Sequence, residues 1–103
     1  MASLHDAIRE QQEELQGGNA WVAFWKEGRS WHSEAFHLDM GATLYPEDEW
    51  RLREIEAADP AAIVLNGYLS ENMTLDELTT SIRYHYEHRM NGINRIYHGV
   101  QRP

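Results

Sequence analysis

WVAFWKEGRSWHSEAFHL, residues 21 to 38, decides how the rest of the chain folds around it. Apolar and aromatic residues run from Trp21 to Trp25. A charged break containing Gly28 covers Lys26 to Ser30, and an alternating run follows from Trp31 to Leu38. Two strand-forming runs joined by a short glycine-containing loop predict a β-hairpin, with a turn longer than the two-residue minimum. In the second run, period two puts His32, Glu34, Phe36 and Leu38 on one face and Trp31, Ser33, Ala35 and His37 on the other. Neither face is wholly apolar, which places this strand at or near a sheet edge. The first run is apolar on both faces, as a strand covered on both sides must be. A lone hairpin is marginal in water, so helices from elsewhere in the chain have to cover it.

Upstream, Ser3 is positioned as a helix N-cap, with Asp6 in the first turn at the favourable end of the dipole. Leu4, Ile8, Gln11 and Leu15 share one face, with Ala7 beside them; Glu10, Glu13 and Glu14 occupy the other. Gly17 and Gly18 end this helix. Its apolar stripe is thin, which suits loose docking or pairing with a partner. Downstream, a turn from Asp39 to Leu44 contains Gly41, and Pro46 suits the first position of a second helix. Glu47, Asp48 and Glu49 fill that first turn. Leu52, Ile55 and Ala58 make the buried stripe, Trp50 lies alongside, and Asp59-Pro60 is the stop.

Ala61 to Leu65 is a short apolar run with the character of a buried central strand, closed by Asn66-Gly67. Thr74 to Glu77 has capping-box spacing. The helix it opens is expected to reach about Met90, burying Leu75, Leu78, Ile82, Tyr86 and Met90, with Gly92 near the C-cap. The tail from Ile93 to Pro103 would add a short strand or pack back on the core through Ile93, Ile96 and Tyr97. The resulting order is α-β-β-α-β-α: one α+β domain over residues 1–103, with a small, mostly antiparallel three-stranded sheet covered by about three helices.

Composition limits the function classes. A chain of 103 residues supports one modest core, to which four Trp and five Tyr bring large side chains. There is no Cys, which excludes disulfides and thiolate metal sites and fits an intracellular protein. No stretch approaches a membrane span, and the polar, acidic start is unlike a signal peptide, so a cytoplasmic location is expected. A net charge of −8 opposes direct binding to DNA. The charge is uneven: −8 over residues 1–59, −3 over 60–82 and +3 over 83–103, with Arg89 to Arg102 in the basic end.

Candidate chemistry is sparse. His85 and His88 are three apart on one helix and lack a nearby third ligand, with only His37 or His98 to supply one from a distance. The zinc-peptidase motif needs its His four apart around a Glu, so no metal is expected. His32 and Glu34 share a strand face, with His37 on the same strand, but no nucleophile motif accompanies them. No phosphate-cradling Gly-rich loop is present, so neither a catalytic residue nor a cofactor is expected. The aromatics Trp21, Phe24, Trp25 and Trp31 suit base stacking chemically, but only Lys26 and Arg29 are near them, and core packing accounts for them better.

The most informative feature is acidity. Glu10, Glu13 and Glu14 on the first helix, with Glu47, Asp48, Glu49, Glu54, Glu56 and Asp59 on the second, concentrate carboxylates on two elements. A solvated face that keeps a small domain soluble explains this, as does a surface complementary to a basic groove.

The stretches WVAFWKEGRSWHSEAFHLD, DPAAIVLNGY and MTLDELTTSIRYHYEHRMN resemble small proteins encoded on mobile elements of gut bacteria. Over nearly its whole length the chain resembles an anti-CRISPR protein that inhibits the type II effector nuclease. Families of that kind share no catalytic signature, so no functional residue carries over by motif. The resemblance implies a non-enzymatic inhibitor that binds the nuclease or its guide RNA complex by protein–protein contact. Glu10, Glu13, Glu14, Glu47, Asp48, Glu49, Glu54 and Glu56 are then the expected contact residues. The competing expectation is a structural or regulatory binding module of a mobile element, self-associating through Trp25, Trp31 or the first helix.

Overall fold

The computed structural model describes residues 1–17, 20–39, 43–67 and 72–99, with 94–99 described as backbone. Gly18, Gly41 and the tail end at 100–103, to which the sequence assigned a cap, a turn and a basic terminus, lie outside the described residues. In chain order the elements are α1 (Leu4–Glu10), α2 (Gln12–Gly17), β1 (Ala20–Glu27), β2 (Ser30–His37), α3 (Pro46–Ala58), β3 (Ile63–Asn66) and α4 (Leu75–Gly99). The strands form one antiparallel sheet in the order β2-β1-β3. The fold is therefore α+β with a three-stranded antiparallel sheet, and the element order is the expected one.

β1 is central, and its side chains are buried on both faces. Val22 and Phe24 point to one side, where α1, α2 and α4 contribute Leu4, Ile8, Leu15, Leu78, Ile82 and Tyr86. Ala23 and Trp25 point to the other, where α3 contributes Ile55 and Leu52 and β2 contributes Phe36. Phe24, Phe36, Leu4, Ile8, Leu15, Ile55 and Ile82 are fully buried, each worth about 1.5–3 kcal/mol relative to exposure. Removal of these side chains from water is the main stabilising term.

Several expectations are corrected by the packing. The hairpin turn is minimal: Glu27 pairs with Ser30 across Gly28 and Arg29 alone. Gly28 supplies φ +63°, the positive value that two-residue hairpin turns require. β3 is an edge strand, not a central one. Its apolar character reflects cover on both faces by α3 and α4, which a run of apolar residues cannot distinguish from a central position. The first helix docks firmly, with Leu4, Ile8 and Leu15 each 1 % exposed. It also breaks at Gln11. Ser33 Oγ donates to the Ala7 carbonyl and accepts from Gln11 Nε2, so Gln11 N–H turns to the Ile8 carbonyl instead. On α3, Ala58 is exposed and Ile55 is the one fully buried residue.

α4 opens as expected. Thr74 Oγ1 accepts from Glu77 N–H and Glu77 Oε1 accepts from Thr74 N–H; Ser3 and Asp6 make the same reciprocal pair at α1. These bonds hold the carboxyl groups of Glu77 and Asp6 below their usual range, chiefly through the capped backbone N–H. The far end differs. α4 runs on through Gly92 to Gly99, so residues 93–99 form neither a strand nor a returning tail. Met90 is 37 % exposed. Ile93 reaches the core one turn later and sustains the helix past the glycine.

Asp59 is the largest correction. Counted among surface acids, it is 6 % exposed. Its carboxylate accepts from Lys26 N–H (3.0 Å), Ala61 N–H (3.0 Å) and Tyr86 O–H (2.7 Å). Burial and this bond together push the Tyr86 hydroxyl well above the ordinary phenol range. Tyr86 in turn meets Trp31 edge-on, with ring centroids 4.8 Å apart. At the opposite end of β3, Gly67 is required by close approach: a Cβ there would lie 2.4 Å from the Glu14 carbonyl oxygen.

Two stability predictions follow from this packing. Tyr86→Phe removes the hydroxyl from a buried carboxylate and should cost about 1–3 kcal/mol in urea unfolding, with Asp59→Ala costing more because three donors lose their acceptor. Gly92→Ala should stabilise the domain by about 1 kcal/mol, because the helix there gains propensity and a Cβ meets nothing within 4 Å; an unchanged or lowered thermal midpoint would contradict a continuous helix.

Candidate functional site

α3 is the helix least committed to the core. Tyr45 stands at the N-cap position without a side-chain cap bond, and Pro46 occupies the first turn. The Tyr45 carbonyl accepts from both Asp48 and Glu49 N–H, 3.0 Å each. Glu47, Asp48 and Glu49 then suit the positive end of the helix dipole. With Ile55 as its only fully buried residue, α3 turns most of its surface to solvent.

That surface contains Trp50, 67 % exposed, with the Arg53 guanidinium 5.7 Å from its ring centroid. Glu47, Glu49, Glu54 and Glu56 are exposed, and Asp48 is half-buried. Arg51 points the other way, toward the sheet. Its Nε donates to both oxygens of Glu34 on β2, at 2.9 and 3.2 Å, and its guanidinium lies 5.7 Å from the Trp25 ring. Two of the positive charges on α3 are thus engaged locally, one by a carboxylate and one by an indole face. The outer ridge keeps a net acidic character around an exposed tryptophan.

The remaining carboxylates of the expected interface are elsewhere. Glu10 and Glu13 are exposed and Glu14 is half-buried, on α1 and α2. Those helices cover the sheet face opposite the one α3 covers. The two acidic groups therefore stand on opposite sides of the domain, and Asp59 belongs to neither. What the structure assembles is the α3 ridge alone. Periodicity did not reveal this division, because the side of the sheet to which a helix returns is a property of topology.

The other candidates are also separated. His32 stacks on Trp25 with centroids 5.7 Å apart, and its Nε2 lies 3.8 Å from Glu27, which accepts from the Trp25 indole N–H. Glu34 is paired with Arg51, not with His32. His37 is exposed at the far end of β2. His85 and His88 are exposed on α4 and lie against Tyr84. Among the described residues, no three His, Asp or Glu converge in a way that would hold a metal ion. Of the four aromatics weighed for base stacking, Phe24, Trp25 and Trp31 are core residues, while Trp21 remains 37 % exposed. No described helix is long and apolar enough to cross a membrane.

The class is thus a small α+β domain with a helix-covered, three-stranded antiparallel sheet. Residues 2–96 match the family described as large polyvalent-protein-associated domain 15, and the chain belongs to that family. The description suggests a mobile-element or phage context. Comparison with curated proteins and with solved structures finds no match.

The contact that anchors the inner side of α3 can be measured directly. A double-mutant cycle between Arg51→Ala and Glu34→Ala should give a coupling of about 0.2–1 kcal/mol that shrinks with added salt, since both side chains are part-exposed. Zero coupling at low salt would show that the pair does not orient the helix.

Proposed function

We propose that this domain is a non-catalytic protein-binding module of a mobile element that engages a basic partner through the outer ridge of α3. The observation that carries the reading is Trp50, 67 % exposed on a helix otherwise lined with carboxylates. An exposed tryptophan costs free energy in water, and tryptophan is the residue most enriched at interface hot spots. The surrounding Glu47, Asp48, Glu49, Glu54 and Glu56 would supply steering toward positive charge and repulsion from bare nucleic acid. Glu10, Glu13 and Glu14 are not part of this surface. The absence of catalysis is supported by the local engagement of the acid–base candidates: His32 beside Glu27, and Glu34 with Arg51.

The specific partner proposed is the type II CRISPR effector nuclease, whose nucleic-acid channel is a basic groove of the required kind. The likeness to anti-CRISPR proteins and the acidic ridge favour this reading, and the mobile-element context is compatible with it. On this reading the domain acts by occupying the channel or its guide complex, without direct contact to DNA.

DNA cleavage by a guide-loaded effector nuclease, with and without the protein across a salt series, tests the proposal. Inhibition that weakens as salt rises is expected. Trp50→Ala and the pair Glu49→Gln with Glu54→Gln should each weaken it about tenfold or more, with circular dichroism confirming the fold. Inhibition untouched by these variants would remove α3 from the interface. No inhibition at large molar excess would remove this nuclease as the partner.

A further inference from the structure

The two edges of the sheet are treated differently. On β2 the N-terminal segment occupies the outer edge beside the hairpin: Trp31 N–H donates to the Ala2 carbonyl at 3.0 Å, and Ala2 N–H to Ser30 Oγ at 3.3 Å. Further along, Ser33 is tied to α1. β3 has no such cover at Val64 among the described residues. Its four residues, Ile63–Asn66, contain no proline or charge, the usual devices that keep an edge from pairing with another chain.

The direction of its backbone groups follows from register. The two-residue hairpin closes on a hydrogen-bonded pair, Glu27 with Ser30, so Trp25, Ala23 and Trp21 also bond to β2. Lys26, Phe24 and Val22 therefore face β3, and Lys26 N–H indeed meets the Asp59 carboxylate on that side. Ile63 and Leu65 are the residues opposite Phe24 and Val22. That leaves the N–H and C=O of Val64 pointing out of the sheet, and no described residue pairs with them. The neighbouring outward carbonyl, of Ala62, is held by the Arg89 guanidinium.

This edge opens into a groove of about 640 Å³ between α3 and α4. On the α3 side its walls are Trp21, Leu52, Val64 and Glu56; on the α4 side Ile63 and Leu65 form the floor and His85, His88 and Arg89 the rim. A strand laid against β3 sends alternate side chains to the two sides. One set meets an apolar wall whose single charge is Glu56. The other passes over Ile63 and Leu65 and reaches two imidazoles and a guanidinium on α4.

We propose that the β3 edge takes an extended segment of a partner protein, paired to Val64 through backbone hydrogen bonds, with apolar side chains toward α3 and acidic side chains toward α4. Charge complementarity selects this occupant. A second copy of β3 has the sequence IVLN and offers no acid to the α4 wall. The site shares only Glu56 with the Trp50 ridge and does not depend on Trp50.

The probe is a capped synthetic hexapeptide of alternating valine and glutamate, titrated into the isotope-labelled protein, with the valine–lysine peptide as control. The glutamate peptide should shift the Val64 and Leu65 amides and slow exchange of the Val64 N–H, and the lysine peptide should bind at least about tenfold more weakly. Val64→Pro removes only an outward donor, which an edge strand tolerates, and should weaken binding about tenfold. Should that variant not fold, His85→Glu with His88→Glu, both exposed, should do the same. Trp50→Ala should leave peptide binding unchanged. Unshifted Val64 and Leu65 amides, equal binding of the lysine peptide, or a homodimer in light scattering that Val64→Pro dissolves would overturn the proposal.

Discussion

The buried Asp59 carboxylate joins three parts of the chain through hydrogen bonds. It ends α3, caps the Lys26 amide where β3 no longer accompanies β1, and receives the Tyr86 hydroxyl from α4. A carboxylate removed from water without donors would cost several kcal/mol; with three donors in place the same burial becomes specific. The apolar clusters on either side of β1 supply most of the stabilisation, but apolar contacts are non-directional and tolerate sliding. Asp59 ties α4 to this corner of the sheet through Tyr86, whose ring lies edge-on to Trp31. Lys26, whose Nζ lies 5.3 Å from the Trp31 ring and 5.9 Å from that of Tyr86, closes the same corner from outside.

That arrangement decides which surfaces remain for partners. With α1, α2 and α4 on one face of the sheet, α3 has the other face to itself and touches it through few side chains. A helix so lightly buried is free to carry side chains selected for something other than packing, and the acidic ridge around Trp50 is the result. The crossing of α4 also leaves a gap beside β3, bordered by Glu56 of α3 and by His85, His88 and Arg89 of α4. The domain thus carries an exposed helix ridge and a strand edge in different places.

Local chemistry was legible in the sequence wherever it depended on neighbours along the chain. The Thr74–Glu77 box, the Ser3 cap, Pro46 at the start of α3 and the alternation of β2 all rest on residues within a few positions of one another. The errors have a common origin in contacts distant in sequence. Gly92 reads as a stop, yet Ile93 finds the core and the helix continues. Gln11 reads as helix interior, yet Ser33, 22 residues away, takes over the Ala7 carbonyl and breaks the helix. The candidate site shows the same division: the carboxylates and Trp50 are visible as residues, but their separation onto two sides of the sheet is not.

The amino-acid sequence by itself determined the class of fold, the hairpin, the order of elements and the helix starts, because hydrophobic period and capping chemistry act over one or two turns. Only the tertiary structure decided that β3 lies at an edge, that Asp59 is an internal acceptor and that α3 stands alone on its face. Each of these depends on which side of a sheet a distant helix returns to. That choice is made by the summed burial of side chains from the whole chain and by the few buried polar groups that must find partners when it closes.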